Sequence, residues 1–332
     1  MPKALFKFGN LIRGFGVLPP WGSGTATVKQ AVHDGDTVGI MPDGHFGVRF
    51  LGIDTPEKTF LHPKIKSAYD GKWVSVEKFE KYLHNPFLPD YPNNDEFIKN
   101  LTDDLKNHLE AKLNHETAKN HKTHADDATK GLEKIIQEDY DAKTALTEDF
   151  KFFMAFSYEI MDGLGRFLCY LDYDKSRDER DDKITYNEKM LREGHAEPYF
   201  IWPNTNPFSK ESSIKDAAFG PDEFYTKIEN DKRFSDARNF VQTARKKKKG
   251  IFNKTNKLTL SAFELRFLAR RKPPSRYVID LSKKTDTILS PTKYHTIKHQ
   301  EDRLFVNYEH LPLFAATGWK IEGVEASLKK IE

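Results

Sequence analysis

Two stretches near the N-terminus carry side chains that could act on a phosphodiester: Asp34-Gly35-Asp36-Thr37 and Arg49-Phe50-Leu51-Gly52-Ile53-Asp54-Thr55-Pro56-Glu57. Cleaving such a bond calls for a hard cation on the phosphoryl oxygens, a base to activate water, and fixed positive charge where negative charge grows in the transition state. Asp36, Asp54, Glu57 and Arg49 supply those types. All-oxygen ligation suits calcium or magnesium rather than zinc, since no cysteine or paired histidine belongs to the set.

The elements that would position these groups read as β-structure. Thr25 to Val32 leads into the Asp-Gly-Asp turn, Val38 to Met41 leaves it, and Phe46 to Ile53 follows Pro42-Asp43-Gly44, which predicts a three-stranded meander. In an unbroken strand Arg49 would share a face with Leu51 and Ile53, while Asp54 points the other way. For Arg49 and Asp54 to meet on one phosphate the strand must bend before Asp54, and Gly52 is the residue that tolerates a bend. Phe150 to Glu159 and Arg166 to Asp172 predict a hairpin joined through Asp162-Gly163-Leu164-Gly165. Five strands, with helices after the third and the fifth, suit an α+β fold built on a five-stranded OB-type barrel.

The order Val32-His33-Asp34-Gly35-Asp36-Thr37-Val38, then Val48-Arg49-Phe50-Leu51-Gly52-Ile53-Asp54-Thr55-Pro56-Glu57, then Gly165-Arg166-Phe167-Leu168-Cys169-Tyr170-Leu171 resembles the staphylococcal nuclease (thermonuclease) family. The resemblance covers roughly residues 23–253 with one long interruption, and it too implies the barrel. It implies that Asp36 and Asp54 hold a calcium ion together with the Thr55 carbonyl, with magnesium or manganese as alternative ions. Glu57 is then the general base, Arg49 and Arg166 grip the phosphate, and Asp34 is an acid behind the ligands. Tyr186 to Ala196 resembles the helix after the fifth strand, which places Tyr199 beside the nucleotide. The family usually carries tyrosine where this chain has Leu164, a departure that bears on substrate grip rather than on the phosphate chemistry. The implied activity is endonucleolytic hydrolysis of DNA, with RNA as an alternative substrate, leaving 3′-phosphate ends.

At 332 residues the chain exceeds a usual single domain, so a core with an insertion and an appended module is expected. The boundaries drawn are an N-terminal extension over 1–22, the nuclease-like domain over 23–253 with a helical insertion at about 58–148, and an accessory α+β module over 254–332. Mean hydropathy is −0.70, yet an aromatic fraction of 13% supplies enough bulky apolar surface for a packed interior. Within the insertion, Lys72 to His84 and Phe97 to Gln137 show helical periodicity. The pair is expected as a hairpin that projects from the barrel or meets a partner, and its histidines His108, His115, His121 and His124 as surface residues.

The net charge of +3 conceals an asymmetry: residues 90–149 carry about seven more acids than bases, and residues 238–276 about twelve more bases than acids. Arg245-Lys246-Lys247-Lys248-Lys249 closes an expected helix over Phe224 to Lys249, and the run suits contact with a nucleic-acid backbone. In the tail, a helix at Ala262 to Ala269, strands at Tyr277 to Leu281 and Leu304 to Val306, and a helix at Leu311 to Thr317 are expected. No apolar run reaches eighteen residues and no leader-like segment opens the chain, so a cytoplasmic protein without membrane contact is expected. The single cysteine, Cys169, reads as a buried thiol. The alternative function is a non-catalytic OB-fold module that binds nucleic acid.

Overall fold

The computed structural model describes residues 3–8, 11–21, 23–25, 27–32, 40–91, 94–144, 150–173 and 184–324. The Asp-Gly-Asp stretch, with Asp34 and Asp36, lies outside them. The fold is α+β with several sheets, and two of these sheets position the cleft described below. No helix among the described residues is long and apolar enough to cross a membrane.

The first sheet joins β1 (Val48–Phe50), β3 (Phe152–Ala155) and β4 (Phe167–Tyr173) in the order β3-β4-β1, with β2 (Gly52–Asp54) leaving β1 for the second sheet. The expected hairpin is present: Phe152 pairs with Tyr173 and Ala155 with Tyr170, antiparallel. Strand β4 lies parallel to β1, with Leu168 beside Arg49. The second sheet runs β6-β7-β5-β2, where β5 is Glu197–Trp202, β6 is Tyr277–Asp280 and β7 is Arg303–Val306.

Because successive side chains alternate, this second sheet is buried on both faces. Val278 and Phe305 face a core built with Phe79, Tyr82, Leu105, Leu109, Leu265 and Leu268. Phe200, Trp202, Ile279, Leu304 and Val306 face a second core with Phe224, Phe234, Phe314 and Trp319. The segment from 254 onward, expected as an accessory module, thus shares a sheet with β2 and β5 and contributes to both cores.

Five local expectations change. Val28–Ala31 forms one helical turn where a strand was expected, because Thr27 and Gln30 close a capping box: the Gln30 Oε1 accepts from the Thr27 N–H at 2.9 Å. Lys72 to His84 is a strand at Trp73–Ser75, a 3₁₀ turn at Val76–Phe79 and a helix only from Glu80. The helical stretch from Phe97 onward divides into three helices, Asn94–Lys99, α1 (Asp103–Glu110) and α2 (Thr117–Thr144), and Phe224 to Lys249 divides into Pro221–Asn230 and Lys232–Lys246. Finally, the insertion does not project. Leu105, Leu109 and Ala118 pack with Leu260, Leu265 and Leu268 of the C-terminal segment, while Leu132, Ile135 and Ile136 cover Cys169 and Leu171.

Helix α3 (Tyr186–Arg192), started by a Thr185–Glu188 capping box, lies behind β4, and α4 (Ala262–Arg270), started by a Ser261–Glu264 box, lies over the front of the second sheet. Cys169 is fully buried, and burial pushes its thiol up to about 12.

Candidate phosphate-binding cleft

The bend expected at Gly52 is present. Its φ is +73°, and an added Cβ would lie 2.7 Å from the Tyr170 hydroxyl, so both conformation and space favour glycine there. The bend moves the chain from β1 in one sheet to β2 in the other. Backbone groups at the break are satisfied by buried Asn187 of α3, whose amide donates to the carbonyls of Leu51 at 2.9 Å and Cys169 at 3.1 Å. As a result Arg49 Nη2 lies 3.5 Å from Asp54 Oδ1, although an unbroken strand would send the two side chains apart.

Arg166 reaches the same cleft from β4's entrance. Asp162 holds it there: Oδ2 accepts from Nε at 2.8 Å and lies 2.6 Å from Nη2, while Oδ1 accepts the backbone N–H groups of Leu164 and Arg166. Burial raises the Asp162 carboxyl, but the Arg166 guanidinium and the two N–H groups more than offset it, and the net shift is downward. Leu164 is exposed at this turn.

The third arginine belongs to the tail, whose Arg266, Arg270 and Arg271 the sequence leaves open between guiding substrate toward the barrel, making surface pairs and meeting another chain. Arg266, on α4, forks onto Asp54 with Nη1–Oδ1 at 2.8 Å and Nη2–Oδ2 at 2.6 Å, and the same Nη1 reaches Glu57 Oε1 at 3.3 Å. Asp54 is only 4% exposed, so this is a desolvated, bidentate ion pair. Burial alone would lower the Arg266 pKa, but Asp54 and Glu57 hold it above its ordinary value.

Glu57 is tethered from behind. Its backbone N–H donates to His121 Nε2 at 3.0 Å, and His121 Nδ1 lies 3.3 Å from the Leu260 carbonyl. Nδ1 must carry the proton for both contacts to be hydrogen bonds, so the imidazole is neutral. Burial pushes its pKa down to about 4. His121 and His124 are therefore buried, against the surface placement expected for them, while His115 is exposed. The sequence did carry the signal: Ala118, Ala125 and Ala128 flank His121 at three-, four- and seven-residue steps, a small-residue stripe that marks the packed face of α2.

Arg49, Arg166 and Arg266 line a cavity of about 470 Å³ together with Arg270, Arg276, Tyr199, Glu159 and Asp162. Tyr199 sits opposite Gly52 in the β5–β2 pair, and its ring packs on Phe263 at 5.7 Å. Its hydroxyl accepts from Arg276 Nη1 at 2.7 Å. Beneath Asp54, its sheet partner Glu197 is buried, and desolvation pushes its pKa up to about 7, although the Ala262 N–H donates to it.

The basic run lies elsewhere. Arg245 pairs with buried Glu301 and Lys249 with Glu193 at 2.6 Å, Lys246, Lys247 and Lys248 are exposed, and none of the five lines the cleft.

The donor types in Asp54 and the Thr55 carbonyl suit a hard cation. Both Asp54 oxygens are taken by Arg266, and among the described residues no three His, Cys, Asp or Glu side chains are grouped to hold a metal. Asp36, the other expected carboxylate ligand, lies outside the described residues.

No family model, curated protein or solved structure matches the chain.

Proposed function

We propose that this protein is a nuclease of the kind that the resemblance to the staphylococcal nuclease family implies, hydrolysing phosphodiester bonds in DNA, with RNA as an alternative substrate. The observation that carries the reading is the Gly52 bend. It sets Arg49 beside Asp54, three residues from Glu57, while the parallel β4–β1 pairing brings Arg166 onto the same cleft.

In this reading Arg49 and Arg166 face the non-bridging oxygens of the scissile phosphate and answer the charge that grows there. Glu57 accepts the proton of the attacking water, and His121 fixes the backbone that carries it. Sheet β3-β4-β1, with its parallel crossover, is read as part of the five-stranded OB-type barrel. Calcium, or magnesium or manganese, on Asp36, Asp54 and the Thr55 carbonyl belongs to this proposal as well, and loading it requires Arg266 to leave Asp54.

That requirement favours a second reading, in which the cleft binds nucleic acid without cutting it because Arg266 keeps Asp54 occupied. The two are separated by incubating end-labelled single- and double-stranded DNA and RNA with the protein in calcium, magnesium, manganese or chelator, and analysing product ends. The nuclease reading expects metal-dependent products ending in 3′-phosphate. Products ending in 5′-phosphate contradict the assigned chemistry, and retention of intact substrate in every metal selects the binding module.

A further inference from the structure

The five arginines of the cleft fall into two groups. Arg49, Arg166 and Arg266 each lie within 4 Å of a carboxylate, that of Asp54 or Asp162. Arg270 and Arg276 line the same cavity, and among the described residues neither has an ion-pair partner. Arg276 is half-buried and held by neutral acceptors alone: Nε donates to Asn307 Oδ1 at 2.7 Å and Nη1 to the Tyr199 hydroxyl at 2.7 Å. Its guanidinium also lies over the Tyr199 ring, 5.5 Å from the centroid. A guanidinium fixed in orientation but not neutralised is pre-organised for an anion, because no carboxylate has to be displaced before it binds. Arg270, exposed at the end of α4, joins it in a smaller cavity of about 170 Å³ that Lys272 and the carboxylate-paired Arg266 also line.

We propose that Arg270 and Arg276 form a second phosphate subsite, so that the cleft takes a polynucleotide strand by at least two backbone phosphates rather than a lone phosphodiester. This rests on the nuclease reading for the first subsite, at Arg49 and Arg166. Tyr199, backed by Phe263 and within reach of the Arg266 and Arg276 guanidiniums, lines the cleft beside both groups and offers aromatic surface for the nucleoside linking the two phosphates.

The test uses the full chain carrying Glu57→Gln, so that substrate is not consumed, and dye-labelled oligothymidylates with one, two, three or four internucleotide phosphates, read by fluorescence anisotropy. Affinity is expected to step up when the second subsite is first reached, and Arg270→Gln with Arg276→Gln is expected to remove that step. The pair should also reduce the slope of log affinity against log salt by about 1.4, from two lost contacts to a single strand. Arg276→Lys keeps the charge and should keep most of the step, whereas a purely structural role at Tyr199 and Asn307 would be lost with either substitution. An unchanged step and slope in the double variant overturns the subsite while leaving the first one standing. Failure of every oligomer to bind, the single-phosphate one included, overturns the parent reading and this one together.

Discussion

In one group of cleft arginines each guanidinium is answered by a carboxylate, Arg49 and Arg266 by Asp54 and Arg166 by Asp162, while in the other Arg270 and Arg276 have no such partner among the described residues. The matched group is nearly neutral and fixed in direction, which suits placing charge against a transition state. The unmatched group retains positive charge, which suits capturing and holding a polyanion. Arg49 and Arg166 stand on β1 and just before β4, Arg266 and Arg270 on α4, and Arg276 follows α4, so the C-terminal segment contributes to both groups. In the proposed reading the matched group serves chemistry and the unmatched group grip.

The largest effect expected from breaking this division is at Arg266. Arg266→Gln leaves Asp54 buried without its fork, which should destabilise the fold by about 3–5 kcal/mol in urea denaturation. Millimolar calcium should restore part of that loss if a cation can take the vacated oxygens. A variant as stable as wild type would mean that Arg49 alone satisfies Asp54.

Next in size is a paired comparison. Arg166→Gln should lower kcat on a long single strand by about 10²–10³-fold, the typical effect of losing one preorganised donor, with little change in affinity. Arg270→Gln should weaken KM and leave kcat in place. Equal effects at both positions would erase the distinction between the groups.

Opposing pH dependences follow from two of the buried titrating groups. His121 titrates near 4 in the fold rather than 6.5, so the unfolded chain binds the extra proton as pH falls and stability is lost between about 6.5 and 4. Glu197 titrates near 7 rather than 4.5, so the folded chain holds the extra proton and stability is lost as pH rises between about 4.5 and 7. Each shift corresponds to roughly 3 kcal/mol at most. His121→Asn should remove the first slope and Glu197→Gln the second, as measured by denaturation at a series of pH values.

The smallest effect is expected at the bend. Gly52→Ala must accept a left-handed backbone and a Cβ 2.7 Å from the Tyr170 hydroxyl, at a cost of about 1–3 kcal/mol. The displaced Arg49 should lower activity more than stability.

Much of this was legible in the residues. The hairpin at Phe152 to Tyr173, the helix from Tyr186, the tail elements and the need for a bend at Gly52 all followed from periodicity, turn residues and the face on which Arg49 would otherwise lie. The C-terminal contribution was not, because the long-range pairing of β7 with β5, which carries β6 at the sheet's edge, leaves no local trace. Arg266, Arg270 and Arg271 read from the sequence as tail arginines open to substrate, surface pairs or another chain, and nothing local to Arg266 specifies that Asp54, more than two hundred residues earlier, is its partner. His121 was misread because charged neighbours on α2 masked its alanine stripe. The capping box at Thr27 and Gln30 overrode the β-like pattern of Thr25 to Val32.

The most direct test compares turnover with affinity in Glu57→Gln. Single-turnover cleavage of an end-labelled strand should fall by about 10²–10⁴-fold, the usual contribution of a general base, while anisotropy shows the strand bound as tightly as by wild type. Cleavage by the variant at the wild-type rate, or loss of binding along with turnover, would contradict the assignment of Glu57 as general base.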